Sequence, residues 1–313
     1  MGFVPHKEAM VGFALQSDLF TAATEADIIL PLTEGTSFNW KPNINFYQNI
    51  QGNYELTHYY SGGEWLEFSV TFPIIPGMLI PSDTGLYEWA FDRDESDYNQ
   101  GYWATFFEYL GNSEYKVYSA CKCTKGSIDV KYGERAMITF EGIGIRTPVD
   151  GSSANFPSGA DLMTGLPYIY KEASVSLNYT TGGAYAADTN TSDHKLSWDN
   201  QVVSPSDIGT LNGVEYPMYL PNSANAQWTG QYSRTFVDDD VRDAFLNRQE
   251  CKYKLTMARS GVASAILEFP RIVYSDANVA IPNDGIIKQD GISFQALGGV
   301  DETAAFTFTE TAA

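Results

Sequence analysis

The sequence predicts a mostly β protein made of two tandem domains of β-sandwich or barrel type, each with one short α-helix and one long loop. Three observations predict this fold class. The chain holds 20 Tyr and 18 Phe beside many Thr, Val and Ile, which favour strands over helices. Its 313 residues are typical of about two domains. Four sequence features also recur, in the same order, in both halves.

The first recurring feature is an alternating strand. Phe68-Ser69-Val70-Thr71-Phe72 in the first half is matched with Tyr232-Ser233-Arg234-Thr235-Phe236 in the second, so that Phe68 corresponds to Tyr232. Successive side chains of a strand point to opposite faces, and the two aromatic residues of each motif therefore share one face.

The second feature is a short helix that follows each strand. Leu86, Trp89 and Ala90 are spaced i, i+3, i+4, as expected for one helix face. Val241, Ala244 and Phe245 repeat that spacing. We expect Thr84 to cap the first helix and one of Asp238 to Asp240 to cap the second.

A hairpin and a closing strand complete each half. Residues 103–109 turn through 110–113 into 115–120, and residues 251–257 turn near 260–261 into 263–269. The closing strands, 138–144 and 292–298, agree in both their apolar and their polar positions. The repeat predicts a first domain over 1–147 with an N-terminal arm, a linker over 148–167 rich in Pro, Gly, Ser and Asp, and a second domain over 168–313.

Two long stretches, 35–64 and 179–227, have no clear periodicity and are interpreted as long loops. Such lengths inside a domain are usually functional or interface loops. The first is dense in aromatic residues, which either contact a partner surface or fold back on their own domain. These residues are Phe38, Trp40, Phe46, Tyr47, Tyr54, Tyr59 and Tyr60.

The charge argues against a nucleic-acid clamp. The formal net charge is −20, and both halves contribute to it. Binding to phosphates needs Lys and Arg to displace counterions. The sequence begins without the basic region and apolar core of a secretion signal, and the apolar stretch 72–80 is interrupted by prolines, so we expect no membrane association. Three cysteines are expected to be buried and reduced.

No catalytic, cofactor or metal motif is found, and the chain is not expected to be an enzyme. The three histidines are isolated and are expected on the surface or in loops. Asp92-Arg93-Asp94-Glu95-Ser96-Asp97 begins like a calcium loop but lacks the glycine and the final glutamate that such a loop needs. Carboxylates are abundant, and no glycosidase-like pair stands out among them.

The tandem β-rich domains, each with a short helix and a long loop, resemble the tail tube (major tail) proteins of long-tailed, siphovirus-like bacteriophages, in their tandem-domain form. The opening arm 9–15 followed by Asp27-Ile28-Ile29-Leu30-Pro31-Leu32 is also similar to theirs. The resemblance covers nearly the whole chain, although its pattern is diffuse. It implies a virion structural protein, made in the host cytoplasm, that forms trimeric rings with pseudo-sixfold symmetry.

The resemblance further implies that the rings stack into a tube through which genomic DNA passes without specific binding. The partners would be other copies of the chain and other tail proteins. The aromatic residues of 35–64 are candidates for bridging stacked rings, and acidic groups near the bore would repel phosphate over about 8 Å. Candidate lumen-facing residues are polar positions on alternating strands: Asp129, Lys131, Glu141, Lys288, Asp290 and Gln295.

Other readings of the sequence stay open. One is a different virion component, such as a tail terminator, a connector or a decoration protein. Another is a carbohydrate-binding β-sandwich, which would expose its aromatic residues on a platform.

Overall fold

A computed structural model describes residues 9–31, 35–47, 58–80, 84–91, 102–163, 165–203, 226–261, 264–277, 288–298 and 306–311. For 42–47, 58–63, 161–162, 288 and 311 only the backbone is described. The fold is mostly β, as predicted, with two short α-helices. Within the described residues, no helix is long and apolar enough to span a bilayer.

The first half holds seven strands and helix α1, followed by two short strands in the connecting segment. In chain order they are β1 (Met10–Gln16), β2 (Ile28–Leu30), β3 (Ser37–Tyr47), β4 (His58–Pro73), α1 (Leu86–Phe91), β5 (Trp103–Gly111), β6 (Glu114–Val130), β7 (Met137–Gly144), β8 (Val149–Asp150) and β9 (Asp161–Leu162).

The second half holds the remaining eight strands and helix α2. They are β10 (Ala173–Asn178), β11 (Ala186–Asp188), β12 (Thr191–Asp199), β13 (Gln227–Thr235), α2 (Asp240–Leu246), β14 (Cys251–Ala258), β15 (Ser264–Asp276), β16 (Lys288–Ala296) and β17 (Thr307–Thr311). All these strands belong to one extended sheet.

The two halves have the same set of antiparallel strand pairings. In the first half these are β1–β2, β1–β5, β3–β4, β4–β7, β5–β6, β6–β7 and β6–β8. In the second half they are β10–β11, β10–β14, β12–β13, β13–β16, β14–β15, β15–β16 and β15–β17. Each of the strands β1 to β8 therefore has a counterpart among β10 to β17, whereas β9 has none among the described strands.

The register corrects the expected match of the first motif. Glu141 pairs with Ser69 in the first half, and its counterpart Gln295 pairs with Thr229 in the second. Phe68 is therefore structurally equivalent to Trp228 and not to Tyr232. A slip by an even number of residues keeps the same side chains inside, so the alternation alone could not detect it.

The stretch 35–64 is a β-hairpin in its described part, so the expectation of a long irregular loop is wrong there. β3 and β4 pair from Ser37 opposite Ser69 to Tyr47 opposite His58. Pro42 and the glycines of β4 concealed the alternation. A proline is tolerated in β3 because, among the described strands, β3 is paired on one side only and is an edge strand. The second stretch, 179–227, likewise contains strands β11 and β12.

Aromatic residues fill the core of the first half around Trp89 of α1. Its indole contacts the rings of Phe13, Phe68, Phe106 and Phe140 at centroid distances of 5.4 to 6.1 Å. Phe13 and Phe106 belong to β1 and β5, whereas Phe68 and Phe140 belong to β4 and β7. Two parts of the sheet therefore face each other across this core. Helix α1 begins after Thr84, whose Oγ1 accepts a hydrogen bond from the Leu86 amide, as the predicted cap requires.

The two halves share one core. Phe91, at the end of α1, contacts the rings of Trp198, Trp228 and Phe306 of the second half at 4.9, 5.6 and 5.7 Å. The carboxylate of Glu310 on β17 accepts hydrogen bonds from the backbone amides of residues 77 and 79 at 2.6 and 2.9 Å. The last strand of the second half is thus fixed to the first half.

The segment expected as the linker, 148–167, folds onto the first half. β8 pairs with β6, and β9 pairs in parallel with β2. The ring of Phe156 packs against Phe107 and Tyr115 at 6.4 and 6.1 Å. The Asn155 side chain donates to the Thr24 carbonyl at 2.8 Å. The polar turn residues of the segment 148–167 therefore make local hydrogen bonds, and the segment is not a solvated tether.

Candidate functional site: a continuous polar sheet face

Seven adjacent strands form a sheet that crosses from one half to the other. Their order is β3-β4-β7-β6-β12-β13-β16. The crossing is the antiparallel pair β6–β12, in which His194 lies opposite Val130 and Asp199 lies opposite Lys125. We call β6–β12 the junction. It makes one surface out of two halves of the chain.

Strict alternation gives this sheet one buried and one solvent-facing side. In β7 the pattern Met137–Gly144 alternates between partly exposed and buried residues along its whole length. β13 alternates in the same way between exposed and buried side chains up to Tyr232. The buried side joins the core described above. The other side carries polar side chains, and we call it the polar face.

The middle of the polar face is a row of uncharged polar side chains, each directly opposite the next one on the neighbouring strand. Residues in this row are Thr71, Thr139, Ser127, Ser197, Thr229 and Gln295. The hydroxyl oxygens of Thr71 and Thr139 lie 3.0 Å apart and share a hydrogen bond. The Gln295 amide donates to the Trp228 carbonyl at 2.9 Å, which holds its side chain against the sheet. The row contains no charged group.

Charged residues flank this row, and three lysines of the polar face stand beside a carboxylate. Lys125 Nζ lies 2.9 Å from a carboxylate oxygen of Glu141. Lys195 is directly opposite Asp129 in the junction. Near the hairpin, Lys41 Nζ lies 3.5 Å from Glu67. Exposed pairs of this kind contribute about 0–1 kcal/mol each, so their effect is to neutralise the lysines rather than to stabilise the fold.

Three of the predicted lumen-facing residues, Asp129, Glu141 and Gln295, lie on the polar face, on the separate strands β6, β7 and β16. Asp290 is exposed on β16, and Lys131 is exposed just after the end of β6. The side chain of Lys288 lies outside the described part of the structure. Sequence reasoning missed Ser127, Thr139, Ser197 and Thr229, which form the centre of the face. Ser127 and Ser197 become neighbours only through the junction, which has no local signal in the sequence.

The aromatic residues predicted to bridge rings divide into two groups. Phe38 and Trp40 are half-buried and pack against the core of their own half; Phe38 stacks on Tyr118 at 4.6 Å. Phe38 and Trp40 therefore fold back on their own half, which was the alternative to contact with a partner surface. For the others only backbone positions are described, and Phe46 lies opposite Tyr59 in the hairpin. Tyr47 and Tyr60 belong to the same two strands, and Tyr54 lies outside the described residues.

Buried polar groups lie beneath the second half of the sheet. His194 is buried in β12, so the expectation of a surface or loop position is wrong for it. The Tyr253 hydroxyl and His194 Nδ1 are hydrogen-bonded at 2.8 Å. Burial lowers the pKa of His194 from 6.5 to about 4 and thereby keeps the ring neutral.

Arg234 is also buried in this region, where it binds two carboxylates. It pairs with Asp188 at 3.0 Å and with Asp238 at 2.8 Å. Asp238 also accepts from the Asp240 amide, whereas Asp239, the N-cap residue, makes no side-chain cap. The aspartate run before α2 therefore supplies an ion pair as well as one of the expected capping contacts.

The cysteines are buried and unbridged, as predicted. Burial raises the pKa of all three thiols, that of Cys251 to about 11. Thiols of this kind are unreactive because the nucleophile is the thiolate. Within the described residues, no group of three or more His, Cys, Asp or Glu side chains is placed to hold a metal ion.

No protein-family model matches the chain, and a comparison with curated proteins finds no significantly similar sequence.

Proposed function

We propose that this chain is the structural subunit of a hollow tube, and specifically the tail tube protein of a long-tailed bacteriophage. Three copies form a ring with pseudo-sixfold symmetry, and rings stack into a tube that conducts DNA. The observation that carries the proposal is the polar face, because one continuous sheet surface built from both halves suits the wall of a bore.

The matching pairings of the two halves support a duplicated β-sandwich. In this interpretation, each half of the chain occupies an equivalent place around the ring. Three chains then supply six equivalent positions, as the sequence resemblance implies. The shared topology is what such an arrangement requires, since equivalent positions need equivalent folds.

The polar face suits a surface along which DNA slides. Its central row is neutral, and the neighbouring Lys41 and Lys125 pair with carboxylates. Among the described side chains of this face there is no cluster of unmatched Lys or Arg, so little counterion release would hold a phosphate backbone. This differs from the carboxylate-rich bore expected from the sequence. Most of the net charge of −20 would then lie on other surfaces of the ring.

The outer part of the β3–β4 hairpin is the candidate for contact between stacked rings. β4 pairs with β7 only from Leu66 onward, so 41–47 and 58–65 pair only with each other among the described strands. A two-stranded hairpin is at best marginally stable alone in water. We propose that it is stabilised by the next ring, with Phe46, Tyr47, Tyr59 and Tyr60 supplying contact area.

Negative-stain electron microscopy of the purified protein tests the assembly. We expect hollow tubes whose cross-sections average with threefold or pseudo-sixfold symmetry. Rings that close but do not stack would instead indicate a connector or terminator. A stable monomer that binds glycans would overturn the proposal in favour of the carbohydrate-binding alternative.

Cysteine accessibility tests whether the polar face lines the bore. Ser197→Cys places a thiol in the central row, and the matched control Ser158→Cys places one on an exposed turn of the connecting segment. A small maleimide should label both variants before and after assembly. A maleimide on a long polyethylene glycol chain should label only Ser158→Cys once tubes have formed. Equal labelling of both in the tube would mean that other strands line the bore.

A further inference from the structure

Among the described strands, the junction has no counterpart in the second half of the same chain. β6 is flanked on one edge by β5 and then, further along, by β12. Its counterpart β15 is flanked by β14 as far as Ile272, and no described strand continues along that edge past Ile272. No described strand therefore fills, beside β15, the position that β12 fills beside β6.

In the first half, the complementary edge has no partner among the described strands. β12 has β13 on one side and β6 on the other. Its counterpart β3 has β4 on one side, and no described strand pairs with its other edge. The residues of the two strands agree at equivalent positions, where Ser37, Phe38 and Asn39 correspond to Ser197, Trp198 and Asp199.

We propose that β3 of one copy pairs antiparallel with the end of β15 of a second copy, repeating the junction between molecules. Open strand edges are templates for pairing with another chain, and among the described strands these two are the open edges whose counterparts, β12 and β6, pair with each other inside the molecule. β11 also has an edge with which no described strand pairs, but there its counterpart β2 pairs with β9 of the connecting segment, and β9 has no counterpart among the described strands of the second half. The junction itself thus identifies the partner as a second copy of this chain.

The register of the proposed contact follows from the junction. Asp199 lies opposite Lys125 there. Asn39 is the counterpart of Asp199, because Asn39 pairs with Glu67 as Asp199 pairs with Gln227. Val273 is the counterpart of Lys125, because Val273 pairs with Gln295 as Lys125 pairs with Glu141. Asn39 of one copy therefore lies opposite Val273 of the next.

This contact uses different surfaces on the two copies and so repeats from copy to copy. Such a contact closes into a ring when the rotation between copies allows it. If the contact between copies has the same geometry as the junction within one chain, the same rotation relates each half-chain of the ring to the next half-chain. The polar face then becomes continuous around the ring. The proposed pairing rests on the proposed tube function, which requires a ring, and it identifies the two strand edges that would close that ring.

Disulfide trapping tests the pairing. In Asn39→Cys/Val273→Cys, the two new thiols lie on directly opposite positions, within reach of a disulfide. The native cysteines are buried and do not compete. After assembly and mild oxidation, we expect non-reducing electrophoresis to show a ladder that ends at the number of copies in the ring. Each single variant should give no ladder, and Lys41→Cys/Val273→Cys, two residues out of register on the same face, should give at least tenfold less product.

The outcomes separate this pairing from the tube itself. Tubes without cross-links in the double variant would overturn the β3–β15 contact while leaving the tube in place. Cross-linked rings that never stack would support the contact and overturn the tube. Efficient linking of Lys41→Cys/Val273→Cys instead would overturn the register. A protein that stays monomeric and unlinked at its highest soluble concentration would overturn the contact.

Discussion

At the scale of single residues, glycines opposite aromatic rings shape this sheet. Gly142 lies opposite Phe68, and Gly230 lies opposite Phe294. A Cβ atom on Gly142 or Gly230 would stand 2.3 or 2.0 Å from the facing ring. The missing side chain lets the ring cover the backbone of the next strand. The same arrangement of a glycine opposite an aromatic ring recurs in the junction, where Trp198 lies over Gly126.

Gly126→Ala should destabilise the protein more than an ordinary strand substitution. Its Cβ would lie 2.4 Å from the Thr139 carbonyl oxygen and 2.4 Å from the Trp198 ring. Because one of these atoms is backbone in a central strand pair, little relaxation is available. We expect a loss of about 1–3 kcal/mol or more in the free energy of unfolding, measured by urea denaturation.

The matched control is Gly159→Ala. Gly159 lies in a turn of the connecting segment, where an added Cβ meets no atom within 4 Å. Its stability should stay within about 0.5 kcal/mol of the original protein. If the two variants were equally stable, the close approach of Trp198 to the Gly126 backbone would be wrong.

At the scale of elements, sequence periodicity identified those strands and helices whose signal is local. The β5–β6 hairpin was predicted from its turn, and Asn112 and Ser113 there have φ of 51° and 63°, as a tight two-residue turn requires. Both helices were predicted from their apolar spacing. The β3–β4 hairpin was missed because Pro42 and paired glycines interrupt its alternation.

The candidate site was predictable only in part for the same reason. Alternation along β6, β7 and β16 was enough to place Asp129, Glu141 and Gln295 on a solvent-facing side. It could not show that they share one continuous surface, because the paired residues of β6 and β12 lie 64 positions (130 to 194) to 74 positions (125 to 199) apart in the sequence. Ser127 and Ser197 become neighbours only through that pairing. Contacts between distant strands depend on tertiary packing, which a local pattern does not encode.

The junction strand β12 should make stability depend on pH through His194. Its pKa is about 4 in the folded protein and near 6.5 when exposed, because burial disfavours the charged ring. Between these values the unfolded chain binds a proton that the folded chain does not. Stability from this residue is therefore full above pH 6.5 and falls as the pH drops toward 4, by up to about 3 kcal/mol.

Comparison with His194→Gln isolates this contribution. Urea unfolding of both proteins from pH 7 to pH 4 should show that the variant loses less stability on acidification, whatever its stability at pH 7. Carboxylates titrate in both proteins, so their effect cancels in the difference. Parallel pH profiles would mean that His194 is not kept neutral by burial.

At the scale of the whole molecule, the junction makes the two halves one folding unit. Sheet hydrogen bonds cross it, and Trp198 fills the space between the two parts of the core with less than a tenth of its surface exposed. Its ring contacts Phe91 and Phe140 of the first half and Trp228 of the second at 4.9 to 5.7 Å. Tandem domains on a flexible tether would lack such coupling.

We therefore expect a single unfolding transition for the 313 residues in differential scanning calorimetry, with equal calorimetric and van't Hoff enthalpies. Trp198→Ala removes the ring that couples the halves, at a cost of about 3–5 kcal/mol, and should separate the transition into two. Phe13→Ala makes a comparable cavity among Trp89 and Phe106 of the first half alone. It should lower the melting temperature without separating the transition. Two transitions in the unaltered protein would show that each half is stable by itself, and the junction would then be a docking contact rather than part of one core.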